Sequence, residues 1–407
     1  MRNIRWAAIQ PLTGGMYIGA EKAIGQPAEY ILSFPGLCEK YNNEYHLLKW
    51  LKMHNKLPHY ACFDCDMFDN DDNILPDIIE TQWTRNIGFF HDLNNLLNMD
   101  LIVSVPVCSG LTSATCHIDS DRCASRNTNM KWITNYVLGT LQPKVYIFEN
   151  SPRLMSVTGK AVREYLEDLA IKNGYSICYY ITDTQYHHNP QKRARTFILF
   201  FKGAHAPELG YEHNEIDIIP YLSQIPDDSP QNVCVKTHQY NHDLMKYAIS
   251  ILGNDAFSKF SSVSKWIVSD NRIGDIRRWM SKNEHSKYTV RFINHIEKKS
   301  MMGKNWYDVS YFRSHDNKTH AIVFKTMRSE LHPIENRIFT IREQLHLMGM
   351  PNDFYLYGDI QKTFPQIGQN VPVGTAEWIV SQAIQHMNDD GDGPMIRVFN
   401  NIKMKEV

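Results

Sequence analysis

A short apolar run followed by a cysteine-bearing loop is the feature that most constrains how this chain can fold. Residues 101–105 are largely apolar, and Asp100 and Pro106 bound them; this pattern predicts a buried parallel strand. Beyond Pro106 the chain presents Cys108 beside Ser109 in a loop of small residues. Because open α/β sheets bind ligands at the carboxyl ends of their strands, Cys108 is a candidate nucleophile. For this segment alone, a cysteine buried in the core is the alternative interpretation.

The first predicted strand leads into a second candidate site. Residues 4–9 predict a strand, and a loop with Thr13, Gly14 and Gly15 separates it from a helix pattern. Paired glycines at this point let the backbone approach a ligand at the N-terminus of a helix. A tight turn between strand and helix explains the same glycines, so this motif alone leaves both interpretations open.

A Cys-x-x-Cys pair follows another short predicted strand. Cys62 and Cys65 enclose Asp64, and Asp66 comes directly after them. Metal binding and redox activity are the roles usually considered for such a pair. No second pair of ligands stands at zinc-finger spacing, so we expect ordinary thiols and no metal. Asp64 and Asp66 are instead candidates to accept hydrogen bonds from a nucleoside-like ligand.

Charged residues stand at the ends of two further predicted strands. Residues 144–148 predict a strand that is followed directly by an acid, Glu149. We expect Glu149 in the same crevice as the cysteine loop; a helix-capping or solvated glutamate is the alternative. Arg193 and Arg195 lead into a strand at residues 196–201. Two guanidiniums on one face suit an anionic or carbonyl-bearing ligand, and a solvated basic edge is the alternative.

The composition limits the partners of the chain. Its 407 residues allow one large domain and a smaller one, and a net charge of −1 means that affinity for nucleic acid must come from a local patch. Residues 265–328 contain fourteen Lys and Arg against six Asp and Glu, with aromatic residues between them. This mixture favours phosphate contact and base stacking, although a solvated charged face has the same composition. Eight scattered cysteines fit a reducing cytoplasm, and no stretch is suited to span a membrane.

Two signals mark the C-terminal part of the chain. Thr340 is expected as the N-cap of a helix, with Glu343 at the capping-box position. Residues 366–373 then precede a last predicted helix at 374–387.

Taken in order, these pieces resemble the motifs of the DNA cytosine-5 methyltransferase family. The segments that carry the resemblance are 106–109, 149–151, 191–195, 337–354 and 366–372. The resemblance implies an α/β fold, with a Rossmann-like methyltransferase sheet that has helices on both faces and a smaller α+β target-recognition domain. It implies a catalytic domain at 1–205, a DNA-binding target-recognition domain at 206–361, and a segment at 362–407 that returns to the catalytic domain.

The resemblance also implies a role for each site residue. Cys108 would attack C6 of a flipped-out cytosine, and Glu149 would hold the ring N3 and the exocyclic amine. Arg195 would grip the ring carbonyl, and Arg193 would support the loop or a phosphate. The expected substrate-binding residues are Pro106, Ser109, Asn150 and Gln191. The expected contacts to the methyl donor, S-adenosyl-L-methionine, are Thr13, Gly14, Gly15, Asp64, Asp66, Asn370 and Val371.

The departures from the family pattern concern the cofactor more than the base. Gln10 stands where an aromatic residue stacks on the cofactor adenine, and Leu12 stands where a glycine is expected. Gln369 replaces an asparagine in the last motif, and Val107 and Ser109 replace a proline and a glutamine beside the nucleophile.

Three hypotheses remain open on the sequence. The first is a DNA cytosine-5 methyltransferase with a divergent cofactor pocket. The second is a cytosine-C5-modifying enzyme with a different donor, and the third is an inactive methylase-like DNA-binding protein. For the first we expect DNA as partner, no membrane contact, a monomer, and the cytoplasm of a bacterial or phage-infected cell. A restriction enzyme is a further candidate partner.

Overall fold

The apolar runs of the sequence form one large sheet. The computed structural model describes residues 3–33, 43–62, 96–106, 111, 127–203, 206–260, 262–303, 310–314, 316–323, 328–389, 391 and 393–402. The strands in this part of the chain are β1 (Trp6–Ile9), β2 (Tyr30–Ser33), β3 (His59–Cys62), β4 (Leu101–Ser104), β5 (Val145–Asn150), β6 (Tyr175–Asp183), β7 (Gln191–Lys192), β8 (Ala194–Lys202), β9 (Thr319–His320) and β10 (Ile396–Asn400). The sheet order is β10-β6-β8-β5-β4-β1-β2-β3, and β7 pairs separately with β9.

Both faces of this sheet are buried. In β4, Leu101 and Val103 belong to the apolar core on one face, whereas Ile102 belongs to the core on the other. This alternation follows from the pleat of a strand, which sends successive side chains to opposite faces. β4 pairs in parallel with β1 and β5, so the buried parallel strand predicted at residues 101–105 is confirmed.

Helices cover the two faces. The α-helices in the described residues are α1 (Gly15–Ile24), α2 (Asn43–Met53), α3 (Thr128–Tyr136), α4 (Lys160–Lys172), α5 (Ile218–Leu222), α6 (Gln239–Leu252), α7 (Ala256–Lys259), α8 (Val263–Ser269), α9 (Ile273–Met280), α10 (Lys287–Met301), α11 (Ile341–Leu347), α12 (Ile360–Thr363) and α13 (Val373–Gln385). Side chains of α1, α2 and α13 belong to one core, and those of α3 and α4 belong to the other. The predicted α/β sheet with helices on both faces is therefore confirmed.

The region between the sheet strands and the C-terminal segment is mainly helical where it is described. Helices α6, α8, α9 and α10 pack through buried residues that include Leu244, Ile267, Ile276 and Ile293. The two-residue strand β9 returns to pair in parallel with β7. The domain boundaries expected at 205 and 361 stay a prediction.

The order of the strands places a crevice at one edge of the sheet. β1 lies between β4 and β2, so the chain moves in one direction through β2 and β3 and in the other through β4 and β5. Open α/β sheets bind ligands at such a switch point, outside the carboxyl ends of the strands. β8 runs antiparallel to β5, with Thr196 opposite Asn150, so β8 begins at the edge where β5 ends.

The C-terminal part of the chain begins with the predicted helix cap. The Thr340 hydroxyl accepts a hydrogen bond from the backbone N–H of Glu343 (3.1 Å), and the Thr340 N–H donates to the Glu343 carboxylate (2.7 Å). Both halves of the capping box expected from the sequence are present, which confirms that prediction.

A buried histidine joins α2 to this C-terminal part. His46 Nδ1 accepts a hydrogen bond from the backbone N–H of Tyr357 (3.0 Å), so its Nε2 carries the proton and donates to Gln366 Oε1 (2.7 Å). Burial lowers the pKa of His46 from 6.5 to about 4, and the hydrogen bond to Gln366 offsets only part of this effect. The neutral ring is therefore the form that stabilises the fold.

The free energy of unfolding should fall as His46 is forced to take up a proton. The lowered pKa means that its contribution is fully present above pH 6.5 and is lost as the pH falls to about 4. Over this range we expect a loss of about 3 kcal/mol from this group, measured by urea unfolding at successive pH values. His46→Gln should remove that part of the slope, and His285→Gln, at an exposed histidine, should not. Equal slopes for the two variants would contradict the assignment.

Candidate functional site

Several of the predicted site residues lie at the carboxyl edge of the sheet. Pro106 follows β4 and is buried, and Glu149 lies at the end of the neighbouring strand β5. Gly14 and Gly15 follow β1, on the other side of β4. Cys108, Ser109, Asp64 and Asp66 lie outside the described residues, so their predicted roles remain predictions.

An ion pair between Glu149 and Arg195 is the charged feature of this edge. Arg195 Nε lies 2.6 Å from Glu149 Oε1, with only 19% and 9% of the two side chains exposed. Arg195 also donates to the carbonyl oxygen of Ala194 (2.7 Å). The antiparallel course of β8 produces this pair, because it brings the start of β8 to the end of β5. A partly buried carboxylate paired with a guanidinium is held in a fixed orientation, from which it can form a hydrogen bond with a ligand.

Asn150 shapes the turn that follows Glu149. Its Oδ1 accepts a hydrogen bond from the backbone N–H of Ser151 (2.8 Å), and its Nδ2 lies 3.1 Å from the sulfur of Met130. The side chain is fully buried. Its role as a substrate-binding residue stays a prediction.

Arg193 is buried and forms hydrogen bonds with segments that are distant in the sequence. Its guanidinium donates to the carbonyl oxygens of Ile322 (2.7 Å), Gly368 (3.2 Å) and Asn370 (2.8 Å). These contacts agree with a supporting role for Arg193, one of the two functions expected for it. Because the two arginines have different partners, they do not act as one pair of guanidiniums.

Gln191 forms a similar internal contact. Its Nε2 donates to the carbonyl oxygen of Leu347 (3.0 Å), and its Oε1 accepts from the backbone N–H of Ile322 (3.0 Å). The side chain is fully buried. In this structure Gln191 joins the strand entry to α11, and its predicted contact with the substrate stays untested.

The glycine loop and the last motif lie against each other. The Gly15 N–H donates to Asn370 Oδ1 (2.7 Å), and the Thr13 hydroxyl donates to the carbonyl oxygen of Gln366 (3.0 Å). A Cβ atom on Gly15 would lie 1.8 Å from the carbonyl oxygen of Val371. The fold therefore brings together four of the residues predicted to contact the cofactor: Thr13, Gly15, Asn370 and Val371.

The two departures at the end of β1 both lie in unusual backbone conformations. Gln10 has φ +51° and Leu12 has φ +52°, which is the left-handed region that favours glycine. The loop thus keeps the backbone conformation of a glycine at Leu12, where the family pattern has one. Gln10 is fully buried, and neither polar atom of its amide has a hydrogen-bond partner among the described residues.

Asp183 is a site residue that the sequence interpretation missed. It ends β6, is buried, and its Oδ1 accepts hydrogen bonds from the backbone N–H groups of Arg193 (2.9 Å) and Gln185 (3.1 Å). Burial raises the pKa of the Asp183 carboxyl group, and these hydrogen bonds counteract part of the rise. An acid directly after an apolar strand was the signal used for Glu149, and the same signal was present here.

Among the described residues, no group of three or more His, Cys, Asp or Glu side chains is arranged to hold a metal ion. In the same part of the chain no helix is long and apolar enough to cross a membrane.

An open, mostly parallel α/β sheet with a glycine loop at its switch point places this chain among the Rossmann-like α/β proteins, which bind their ligands at that point. Residues 77–385 match the family of the C-5 cytosine-specific DNA methylase. The chain belongs to this family and is a DNA cytosine-5 methyltransferase, as the motifs predicted.

Individual proteins agree with this assignment. The chain is 24% identical to M.MJ0563P of Methanocaldococcus jannaschii over 282 residues, which cover 67% of this chain and 74% of that protein. It is 23% identical to the type II methyltransferase M1.HphI of Haemophilus parahaemolyticus over 303 residues, 72% of this chain and 70% of that one. The solved structure of the Entamoeba histolytica methyltransferase EhMeth shares the fold, with a TM-score of 0.51 and 14% identity over 95% of this chain and 98% of that chain.

Contact between the glycine loop and the last motif can be tested with one methyl group. Gly15→Ala places Cβ against the carbonyl oxygen of Val371, so we expect the free energy of unfolding to fall by about 2 kcal/mol. Gly274→Ala is the matched control, because Gly274 also lies in the first turn of a helix and its Cβ would meet open space. That variant should be neutral or gain up to about 1 kcal/mol. Urea unfolding that gave equal effects would refute the close packing.

Proposed function

We propose that this methyltransferase uses Cys108 as a covalent nucleophile and S-adenosyl-L-methionine as the methyl donor. The observation that carries the proposal is the Glu149–Arg195 pair at the carboxyl edge of the sheet. It lies at the end of β5, beside the strand that leads through Pro106 towards Cys108 in the sequence. A nucleophile, an acid and a guanidinium at one edge suit a single pyrimidine taken out of the DNA duplex.

Each predicted site residue would have its own role in the reaction. The Cys108 thiolate would add to C6 of cytosine, so that the electrons of the C5–C6 double bond make C5 nucleophilic. Glu149 would hold the ring N3 and the exocyclic amine and stabilise the adduct, and Arg195 would bind the ring carbonyl. C5 would take the methyl group that the donor supplies, and loss of the C5 proton to a base, with elimination of the Cys108 thiolate, would then restore the C5–C6 double bond and release 5-methylcytosine.

The cofactor assignment is supported by the edge of the sheet at β1. S-adenosyl-L-methionine supplies, when bound, an electrophilic methyl group on a sulfonium sulfur. Gln10 offers a buried amide without a partner among the described residues, and Gly14 is the N-cap of α1 with φ +107°, a conformation that favours glycine. These features fit a ligand with hydrogen-bonding groups. Thr13, Gly15, Asn370 and Val371 would form the wall of its site.

DNA is expected to contact α10. Its buried side contains Thr289, Ile293 and Ile296, and the opposite side exposes Lys287, Tyr288, Arg291, His295 and Lys298. This stripe contains no carboxylate, and its cations and aromatic ring suit phosphates and bases. Similarity to proteins named type II methyltransferases also supports a restriction-modification role, with a restriction enzyme as partner.

The covalent step predicts a trapped complex. DNA that contains 5-fluorocytosine should form a complex with the wild-type protein that survives denaturation, in the presence of S-adenosyl-L-methionine, because fluorine at C5 blocks the final elimination. Denaturing gel electrophoresis and mass spectrometry of nucleosides from treated DNA measure the complex and the added group.

Two controls decide the outcome of the trapping experiment. Cys108→Ala should abolish the complex, and Cys234→Ala, at an exposed free cysteine on another part of the chain, should preserve it. A complex that persists in Cys108→Ala, or none with the wild-type protein, would disprove the covalent mechanism. Modified cytosine that carries a group other than methyl would disprove the donor.

The proposed DNA surface predicts a change in salt dependence. Replacing Arg291 and Lys298 together by Gln should reduce the slope of log K against log salt concentration by about 2, since each phosphate contact contributes about 0.9. The control replaces Lys160 and Lys172 by Gln in α4, on a face of the sheet, and should leave the slope unchanged. Fluorescence anisotropy at several salt concentrations measures both. Equal slopes for the two double variants would place DNA elsewhere.

A further inference from the structure

Three aromatic rings form a parallel stack in the helical region of the chain. The centroids of the His238 and Tyr240 rings are 5.2 Å apart, with 9° between the ring planes. The centroids of the Tyr240 and Phe292 rings are 4.7 Å apart, with 10° between the planes. Tyr240 is therefore the middle ring. These three side chains, called the ring stack below, join the start of α6 to α10.

The ring stack ends at the surface of the protein. Tyr240 and Phe292 are partly buried and pack against the apolar core, whereas His238 is exposed. Among the described residues, Tyr240 has the only ring that stacks on His238. Packing of α6 on α10 explains the first two rings and does not require the third. The imidazole of His238 thus presents a flat π-face at the surface, to which a further planar group can add.

The backbone that carries His238 is held in place by its neighbours. The guanidinium of Arg328 donates a hydrogen bond to the carbonyl oxygen of Lys236 (2.9 Å). The Thr237 hydroxyl oxygen lies 2.9 Å from the hydroxyl oxygen of Tyr311. A ring on a fixed backbone loses little conformational freedom when a ligand stacks on it, so the ring stack is preorganised for binding.

The charges around the ring stack suit a nucleic acid. Phe292 follows Arg291 directly in α10 and so borders the exposed basic stripe of that helix. Burial, and then the positive charge of Arg328, lower the pKa of His238, so its ring is mainly neutral at pH 7. A neutral ring binds through its π-face and not as a cation. Cations beside an aromatic face are typical of surfaces that bind a phosphate backbone and stack its bases.

We propose that the ring stack binds one unpaired nucleobase of the DNA, which stacks on the face of His238 turned away from Tyr240. Every base has a π-face, so this contact tolerates any sequence. A base inside a duplex is covered by its neighbours, so the site selects DNA that is single-stranded or locally opened. The proposal rests on DNA as the substrate and deepens it by naming the form of DNA. Cytosine itself would lie at the Glu149–Arg195 pair, so the stacked base belongs to another nucleotide.

His238→Ala tests the ring stack through binding to a fluorescein-labelled single strand of DNA of about 12 nucleotides. Loss of one stacking ring should weaken this binding about tenfold. The slope of log K against log salt concentration should stay the same, because no phosphate contact is lost. Affinity for the same sequence in a duplex should change by less than about twofold, since its bases are covered. Fluorescence anisotropy at several salt concentrations measures all three quantities.

Two further variants separate stacking from other roles of a histidine. His238→Phe keeps a flat ring without imidazole nitrogens, so it should bind the single strand about as well as the wild-type protein. His213→Ala is the matched control, because His213 is also exposed and its ring centroid lies 4.5 Å from that of Tyr186, outside the ring stack. That variant should leave the affinity for both forms of DNA unchanged.

Three results with His238 variants would overturn the inference. They are an unchanged single-strand affinity in His238→Ala, an equal loss for the duplex, and a loss in His238→Phe as large as in His238→Ala. Failure of the wild-type protein to bind the single strand would overturn it too. All of these leave the proposed function intact if the complex with 5-fluorocytosine DNA still forms. Absence of that complex, with the expected single-strand results, would instead overturn the covalent step and leave the ring stack as a nucleobase site.

Discussion

The buried guanidinium of Arg193 is the interaction on which the arrangement of the site depends. It donates to carbonyl oxygens of Ile322, Gly368 and Asn370, which belong to segments far apart in the sequence. A buried cation is tolerated only when such acceptors surround it, so these segments are held at the entry to β8. Asn370 in turn accepts from the N–H of Gly15. The glycine loop, the last motif and the return of the chain from the helical region are therefore one connected unit.

The antiparallel strand β8 decides which charges meet at the site. A parallel strand in the same place would put its first residues at the opposite edge of the sheet. Because β8 runs against both β5 and β6, Arg195 meets Glu149 at the carboxyl edge, where β4 also ends. The result is a charged pair at the end of strands that are mostly apolar. Rigid strands thus position the ion pair, which favours precise contact with a small planar ligand.

At the end of β1, where a ligand is expected, the fold contains features that destabilise it. Elsewhere the buried polar groups of the site have partners, as in the contacts of Gln191 and Asn150. At Gln10 the amide has none among the described residues, and the backbone lies in the left-handed region. Local rules of folding are broken most often at functional sites. The departures at Gln10 and Leu12 therefore fall at the part of the site that is predicted to hold the cofactor.

Local sequence patterns determined the strands, the capping box at Thr340 and the glycine loop, because each depends on residues close together in the chain. The order of the motifs determined the family. Only the tertiary structure decided that Arg193 and Gln191 face backbone carbonyl and N–H groups, and that Asp183 accepts a hydrogen bond from the backbone of Arg193. It also decided that the Gln10 amide has no partner within the described part of the chain. These facts depend on pairs of groups more than a hundred residues apart or on the course of β8. No periodic pattern in the sequence predicts such contacts, because they form only when the helices and strands pack together in three dimensions.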